Sequence, residues 1–401
     1  MKVALVHDYL KEYGGAERVV EALHEIFPEA PVYTAYYDPK GLGPHADRLK
    51  DWDIKTSWLQ KIPGAGRLIS PFRLLSAKAF ESFDLSEYDV VISSCNIYFS
   101  KAVKVKPGAL HISYIHTPPR YLYGYATSFN YKKSWWKRIG AELANHYLRI
   151  VDFETSQKPD ILVANSENVK ERIGKFYRRE AVVIYPPVEV EKISLQTTAY
   201  PLRLSEASRL QPEKSKKAVV SSQSAGSYFL SLSRLWKGKG VDIVVEACGR
   251  LGLPLKVVGS GPELQHLKTL ATSYQLPTTI EFLGHVSDEE RIKLYSEAKA
   301  LIVAAEDEDF GITVVESMAA GTPVIALKSG GYLETVVEGK TGEFFAKGES
   351  DEETVDSLVK VLEKFDPNKY KVEDCVNQAE KFSQSKFKEK ILDLIHSNLK
   401  S

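Results

Sequence analysis

Residues 300–327 read ALIVAAEDEDFGITVVESMAAGTPVIAL. The first six form a short apolar run of strand type, ending at Ala305. Four acids follow at 306–309. Gly311 then opens a helical stretch that stops at Gly321, and PVIAL (323–327) is apolar again. Strand, turn, helix, strand is the repeating unit of a parallel sheet covered on both faces. Such sheets bind ligands beyond the carboxyl ends of their strands, and the four acids stand at one of those ends. They admit two readings: a metal site, or carboxylates that hold sugar and ribose hydroxyls beside a phosphate.

The same rhythm runs outward in both directions. Upstream, YFLSLSRL (228–235) reads as a strand, VDIVVEACGRLG (241–252) as a helix ending at glycine, and LKVVGSGPELQHL (255–267) as strand, turn and helix. IEFLGHV (280–286) is a strand, and SDEERIKLYSEAK (287–299) is a helix opened by a Ser/Asp cap. The amino-terminal half repeats the pattern. KVALV (2–6) is a strand, and HDYLKEYGGAERVVEALHEIF (7–27) passes through Gly14 and Gly15 into a helix with Val19, Val20, Leu23 and Ile26 on one stripe. YDVVISS (88–94), LHISYIH (110–116) and DILVANS (160–166) are further buried strands. Two tandem doubly wound α/β domains are predicted: 1–190, and 228–381 after a polar linker over 191–227. A final amphipathic helix, about 382–399, is expected to pack back on the first domain. The cleft between the domains is the expected active site. The KSKK run at 214–217 reads as a solvated face of the linker.

Length and charge agree with this. A chain of 401 residues exceeds one ordinary core. Its 53 basic residues balance 53 acidic ones, which disfavours a protein built to coat nucleic acid. Cys95, Cys248 and Cys375 are isolated, so neither a disulfide framework nor a zinc site is expected, and a cytoplasmic setting fits. The opening MKVALVHDYL reads as a buried strand rather than a signal peptide, and no apolar run approaches the roughly 18 residues that span a bilayer.

Phosphate-binding signals recur at the predicted strand ends. VVGSGPE (257–263) supplies Gly259 and Gly261 but has Leu264 where a dinucleotide fingerprint needs a third glycine, which disfavours a nicotinamide dehydrogenase. EYGGAERVV offers bare amides at a helix start near Gly15. In SRLWKGKGVD, Arg234 closes a strand and Lys239 stands at a helix entrance, a guanidinium fork and an ammonium suited to a diphosphate; two plain surface cations are the alternative. Gly311, Ile312 and Thr313 expose amides at the tip of the next helix. Glu308 precedes that tip, and Glu316 lies about one turn in. Hard cations need several converging oxygens, which favours hydroxyl binding over a metal at Glu306, Asp307 and Asp309. No metal is expected.

In order and spacing these segments resemble the retaining glycosyltransferases of family 4, which have the GT-B fold. The carrying motif is E-x7-E, Glu308 to Glu316, followed by SMAAGTPVIA (317–326) and GGYLETVVEGKTGEFF (330–345). GGAERVV (14–20) and YIHTPPRYLY (114–123) match a branch similar to bacterial mannosyltransferases of polysaccharide assembly. The resemblance implies that Glu316 binds the ribose hydroxyls of a nucleotide, Glu308 the hexose hydroxyls, and Arg234 and Lys239 the diphosphate. It brings Gly15 and the amides of Gly311–Thr313 close to phosphates or sugar and turns His116 toward the donor sugar, with Arg120 a candidate for an acceptor phosphate. No cofactor is implied. The donor would be a nucleotide-diphosphate sugar, GDP-mannose favoured over UDP sugars, and the acceptor a saccharide or lipid-linked saccharide. Another GT-B enzyme, such as an epimerase or phosphorylase, and a non-catalytic sugar-nucleotide-binding subunit are the rival readings. SFNYKKSWWKRIG (128–140) interleaves Phe129, Tyr131, Trp135 and Trp136 with four cations, which suits peripheral docking on an anionic membrane; a core or cleft wall is the other reading of the tryptophans.

Overall fold

The computed structural model describes residues 1–64, 69–125, 135–197, 227–273 and 280–399, without the side chains of 69 and 135–139. Much of 128–140 and of the polar segment 194–227 thus lies outside the described residues. The chain divides into two compact units, Met1–Pro187 with Gln384–Ser401, and Val188–Ser383. Residues 190–197, read from the sequence partly as linker, are helical and belong to the second unit, where the Ser194 hydroxyl donates to the Ala319 carbonyl at 3.0 Å.

The amino-terminal unit is a seven-stranded parallel sheet. Its strands are β1 (Val3–His7), β2 (Val32–Thr34), β3 (Ile54–Thr56), β4 (Val90–Cys95), β5 (Leu110–Ile115), β6 (Ile161–Ala164) and β7 (Val182–Val183), in the order β3-β2-β1-β4-β5-β6-β7. Successive side chains along β1 enter different cores. Val3 and Leu5 join one apolar cluster, Ala4 and Val6 the cluster on the opposite face. That is the signature of a strand buried on both sides, and it explains why KVALV is apolar without alternation. The carboxy-terminal helix, Gln384–Asn398, presents Phe387, Ile391 and Ile395 at four-residue spacing to the cluster that holds Val3 and Leu5.

The second unit repeats the plan with six parallel strands: β8 (Tyr228–Leu232), β9 (Leu255–Val258), β10 (Ile280–Gly284), β11 (Ala298–Val303), β12 (Val324–Leu327) and β13 (Gly342–Phe345). Their order is β10-β9-β8-β11-β12-β13. Strand order therefore reverses between β1 and β4 in one unit and between β8 and β11 in the other. In doubly wound sheets the carboxyl edge at this reversal is where ligands sit.

The amino-terminal sheet also encloses polar groups with no pattern in the sequence. Lys101 and Asp152 form a fully buried ion pair at 2.5 Å, and Asp152 also accepts from the hydroxyls of Tyr123 at 2.7 Å and Tyr177 at 3.1 Å. Burial, the largest single influence, lowers the Lys101 pKa, but Asp152, Cys95 and Asp8 together outweigh it and the net shift is upward. His111, on β5, bonds Ser93 at 3.1 Å through Nε2. Burial, only partly opposed by Asp160, lowers its pKa to about 4. The unfolded chain would bind that proton near the ordinary histidine value, so it holds more protons than the folded chain between the two. Stability from this group is complete above about pH 6.5 and is lost as pH falls toward 4, at no more than about 1.4 kcal/mol per pH unit. Thermal melts across that window should show Tm falling with acid, and His111→Gln should flatten the slope. An equal slope in the variant would remove His111 as a cause.

Candidate functional site

In the second unit the turns after β8, β9, β11 and β12 meet at the carboxyl edge of the sheet. Arg234 follows β8 on the surface, in a turn backed by the β9 turn: Leu235 N–H donates to the Ser260 carbonyl at 2.8 Å, and Glu263 N–H to the Leu235 carbonyl at 3.1 Å. The two backbones lie so close that only glycine fits. A Cβ on Gly259, at φ 130°, would stand 1.9 Å from the Ser233 carbonyl oxygen, and one on Gly261 would stand 2.1 Å from that of Leu235. The glycines read from VVGSGPE thus let the Arg234 turn lie against the β9 turn; the bonds above run between these two turns.

Lys239 sits in a short turn ahead of the helix Val241–Leu251 and pairs with Glu308, Nζ to Oε2, at 2.6 Å. The two residues predicted for diphosphate and hexose are therefore in direct contact, with side chains 22% and 20% exposed. A pair this wet contributes at most about 1 kcal/mol to stability, so it holds geometry more than it holds the fold. The loop carrying Glu308 is clamped by the glycines after β12: Gly331 N–H donates to the Glu308 carbonyl at 2.9 Å. The Ser329 hydroxyl donates to the Glu306 carbonyl, and the Glu306 carboxylate pairs with Lys347.

Gly311, left-handed at φ 96°, begins the helix Ile312–Ala319, and no side chain caps it. The first amides of a helix have no intrahelical partner, so Gly311, Ile312 and Thr313 present donors at a half-buried tip. Glu316 lies one turn into this helix, where its spacing places it. It is 2% exposed, and both its oxygens are held, one by Arg291 at 2.5 Å and the other by the Tyr295 hydroxyl at 3.0 Å. Arg291 also bonds Asp288 at 3.0 Å. Glu316 therefore ties its helix to the helix Asp288–Ser296.

In the amino-terminal unit, His116 follows β5, its backbone N–H donating to the Cys95 carbonyl at 3.0 Å. Its Nε2 lies 2.8 Å from the Ser94 hydroxyl. Burial, with His7 close by, lowers its pKa to about 3, so the ring is neutral at physiological pH. Gly15 starts the helix Gly15–Ile26, but the tip brings its own anion: Glu17 accepts the Gly14 N–H at 2.8 Å. A phosphate there would face that carboxylate. Arg120 lies in the turn beyond His116, partly buried.

Several residues at these edges carried no recognised signal. Asp8, at the end of β1, accepts the amides of Asn96, Ile97 and Tyr98 at 2.7–2.8 Å and orders the turn after β4. His7, Ser94, Arg291 and Tyr295 likewise stand in no motif. The available clue was a polar residue closing an apolar strand, as in KVALVHD and VVISS. Among the described residues no three His, Cys, Asp or Glu side chains gather as a metal site.

Known proteins match the chain in both halves. Residues 13–192 match the family described as Glycosyltransferase Family 4, and residues 213–382 the family described as Glycosyl transferases group 1. An alpha-1,3/1,6-mannosyltransferase, ALG2, of Dictyostelium discoideum is 40% identical over 129 residues, which is 32% of this chain and 30% of that protein. A D-inositol 3-phosphate glycosyltransferase of Corynebacterium urealyticum is 26% identical over 265 residues, 62% of this chain and 59% of that one. The chain thus matches less than two thirds of either relative's length. Anabaena HepE, solved with UDP and glucose, superposes with a TM-score of 0.68 at 17% identity, over 99% of this chain and 100% of that one. At that identity the likeness is one of fold.

The Glu316 clamp makes its own prediction. Removing one partner of a buried pair costs about 3–5 kcal/mol, because the other is left uncompensated. Glu316→Ala should lose stability of that order in urea melts, and Glu316→Gln less. A loss below about 1 kcal/mol in Glu316→Ala would show that the clamp is not holding the two helices.

Proposed function

The chain belongs to the family 4 glycosyltransferases of GT-B fold, and we propose that it transfers a hexose, mannose by preference, from a nucleoside-diphosphate sugar to a saccharide or lipid-linked saccharide, with retention of configuration. The observation that carries this reading is the set of groups at the carboxyl edge of the second sheet: Arg234, the Lys239–Glu308 pair and the uncapped amides at Gly311–Thr313. These groups suit a leaving diphosphate. As the bond from the anomeric carbon to the phosphate oxygen breaks, the sugar becomes oxocarbenium-like and the diphosphate gains negative charge. Preorganised cations and amides stabilise that charge without reorganising. The acceptor hydroxyl attacks from the same face, its oxygen bonds to the anomeric carbon, and its proton passes to the departing phosphate oxygen. Glu308 binds the hexose hydroxyls, Glu316 the ribose, and His116 a hydroxyl of the transferred sugar. Mannose is favoured by the sequence likeness to a mannosyltransferase; the UDP and glucose bound by Anabaena HepE make UDP-glucose the rival donor.

The test is turnover of labelled GDP-mannose and UDP-glucose in the presence of EDTA, after calorimetry with a panel of nucleoside diphosphates to choose the base. Activity should survive chelation. Arg234→Ala and Lys239→Ala should each cut turnover by about two orders of magnitude with folding little changed, the scale of losing one preorganised donor. Near-normal turnover in both would refute the leaving-group role.

Docking on a membrane would bring the enzyme to a lipid-linked acceptor. Among the described residues no helix is long and apolar enough to cross a bilayer. Yet the helix Trp135–Ser156, which continues the aromatic and cationic segment, exposes Leu143 (68%), Tyr147, Ile150 and Phe153 along its described length. Apolar side chains beside a cationic segment suit an anionic surface, each cation adding about 1 kcal/mol at low salt. The full chain should pellet with phosphatidylglycerol vesicles at low salt and release at high salt. Unchanged binding after Leu143→Ser and Ile150→Ser would show that this helix is not the contact.

A further inference from the structure

At the carboxyl edge of the amino-terminal sheet, four buried side chains from three strand ends and one helix form a single file. His7 ends β1, and its register partner on β4 is Ser94. Parallel partners project to the same face, so the two side chains meet: His7 Nδ1 lies 3.1 Å from Ser94 Oγ. On its other side Ser94 Oγ lies 2.8 Å from His116 Nε2. His7 Nε2 lies 3.4 Å from Glu17 Oε1, and Glu17 Oε2 accepts the Gly14 amide at 2.8 Å. All four residues are buried. The file Glu17–His7–Ser94–His116 is more than structural packing, because only certain proton placements fill it.

Glu17 as a carboxylate can only accept. The His7 nitrogen facing it therefore carries a proton, and in the placement where the ring holds that one proton its Nδ1 is an acceptor. The Ser94 hydroxyl has one proton and must give it to that nitrogen. Its oxygen then accepts from His116, so Nε2 of His116 carries the ring proton. His116 is neutral, and its other nitrogen, Nδ1, is left with a lone pair. That nitrogen bonds nothing among the described residues, and the ring is steadied by Tyr114, whose ring centroid is 5.2 Å away.

We propose that Glu17, His7 and Ser94 are positioning residues that fix the tautomer of His116, so that its Nδ1 accepts a hydrogen bond from a hydroxyl of the bound sugar. The inference rests on the reading that His116 meets the transferred sugar, and it adds the polarity of that contact. A sugar that offers a hydroxyl donor at this position is bound. A deoxy sugar, or one with an ether or ester oxygen there, loses the bond and leaves a buried acceptor unmet.

The capping bond at Gly14 supplies a sharp test. In Glu17→Gln the side-chain oxygen must still face the Gly14 N–H, since two donors cannot face each other. The amide NH2 then points at His7 and donates to Nε2. The file reverses: His7 Nδ1 becomes a donor, Ser94 donates to His116 Nε2, and the His116 proton moves to Nδ1. One isosteric change should thus invert a histidine tautomer three residues along the file.

The experiment is nitrogen-15 NMR of the full chain with labelled histidine, assigned by His116→Gln, alongside turnover and nucleoside-diphosphate affinity. The wild type should show His116 protonated on Nε2, and Glu17→Gln should show it on Nδ1. Ser94→Ala should uncouple the two ends, so that adding Glu17→Gln no longer moves the His116 proton, and Ser94→Thr should restore the coupling. Turnover should fall about tenfold or more in Glu17→Gln, the scale of one misdirected hydrogen bond, with diphosphate affinity little changed. A wild-type His116 protonated on Nδ1, or one whose proton ignores Glu17→Gln, overturns the relay. If Glu17→Gln does not fold, the Ser94→Ala and Ser94→Thr pair decides it by the same signal. Tautomer inversion without loss of turnover would uphold the relay and remove His116 from the sugar contact.

Discussion

The constraint on which this molecule depends is that a parallel sheet covered on both faces has no polar side. Alternate residues of β1 go to opposite apolar clusters, so no side chain in the middle of the strand can reach water. Reactive groups are left with the strand ends. Both sheets obey this: His7 and Ser94 close β1 and β4, His116 follows β5, and Arg234 and Glu308 follow β8 and β11. Strand order reverses at β1/β4 and at β8/β11, where helices depart to opposite faces and open space beside those ends. The chemistry is therefore placed by topology before any particular side chain is chosen.

Closeness of backbones comes next. The β8 and β9 turns touch through carbonyl oxygens that would lie inside a Cβ at Gly259 or Gly261. The Glu308 loop is held in the same fashion by a main-chain bond from Gly331. Glycine here is a requirement of contact, and it gives the site a floor of main chain that needs no side chain to organise it. A diphosphate is well served by such a floor, since main-chain dipoles are fixed before the ligand arrives.

How much of this could be read from the letters follows from the range of each interaction. Strands such as ALIVAA and KVALV were legible because two-sided burial writes a continuous apolar run. Gly252 was legible because the residue after a helix C-terminus favours the left-handed region, and Gly311 because it stands between the acid run and the apolar helix that follows. The Lys239–Glu308 contact was legible only as two residues of shared purpose; their pairing depends on β8 and β11 being neighbours. His7 and Ser94 are 87 positions apart and meet through register alone. Lys101 and Asp152 sit in segments whose local pattern says nothing of a buried charge. The clamp of Arg291 and Tyr295 on Glu316 was hidden for another reason: on a helix of ordinary charged surface pattern, an arginine that turns inward looks like one that turns out.

Charge is satisfied locally at the sheet edges described above, and this bears on how a ligand would enter. Lys239 is matched by Glu308, Glu316 by Arg291 and Tyr295, and the tip of the helix Gly15–Ile26 by Glu17. A charge held by a partner costs less to keep out of water than a lone one, so the site can be stable while empty. The same pairing means that a diphosphate does not simply add attraction. On the proposed reading a diphosphate would share Lys239 with Glu308, since the ammonium has three N–H donors, and the hydroxyls of the sugar would meet the Glu308 carboxylate. An intact sugar nucleotide would then address both members of the pair, whereas a nucleoside diphosphate without its sugar would address the lysine.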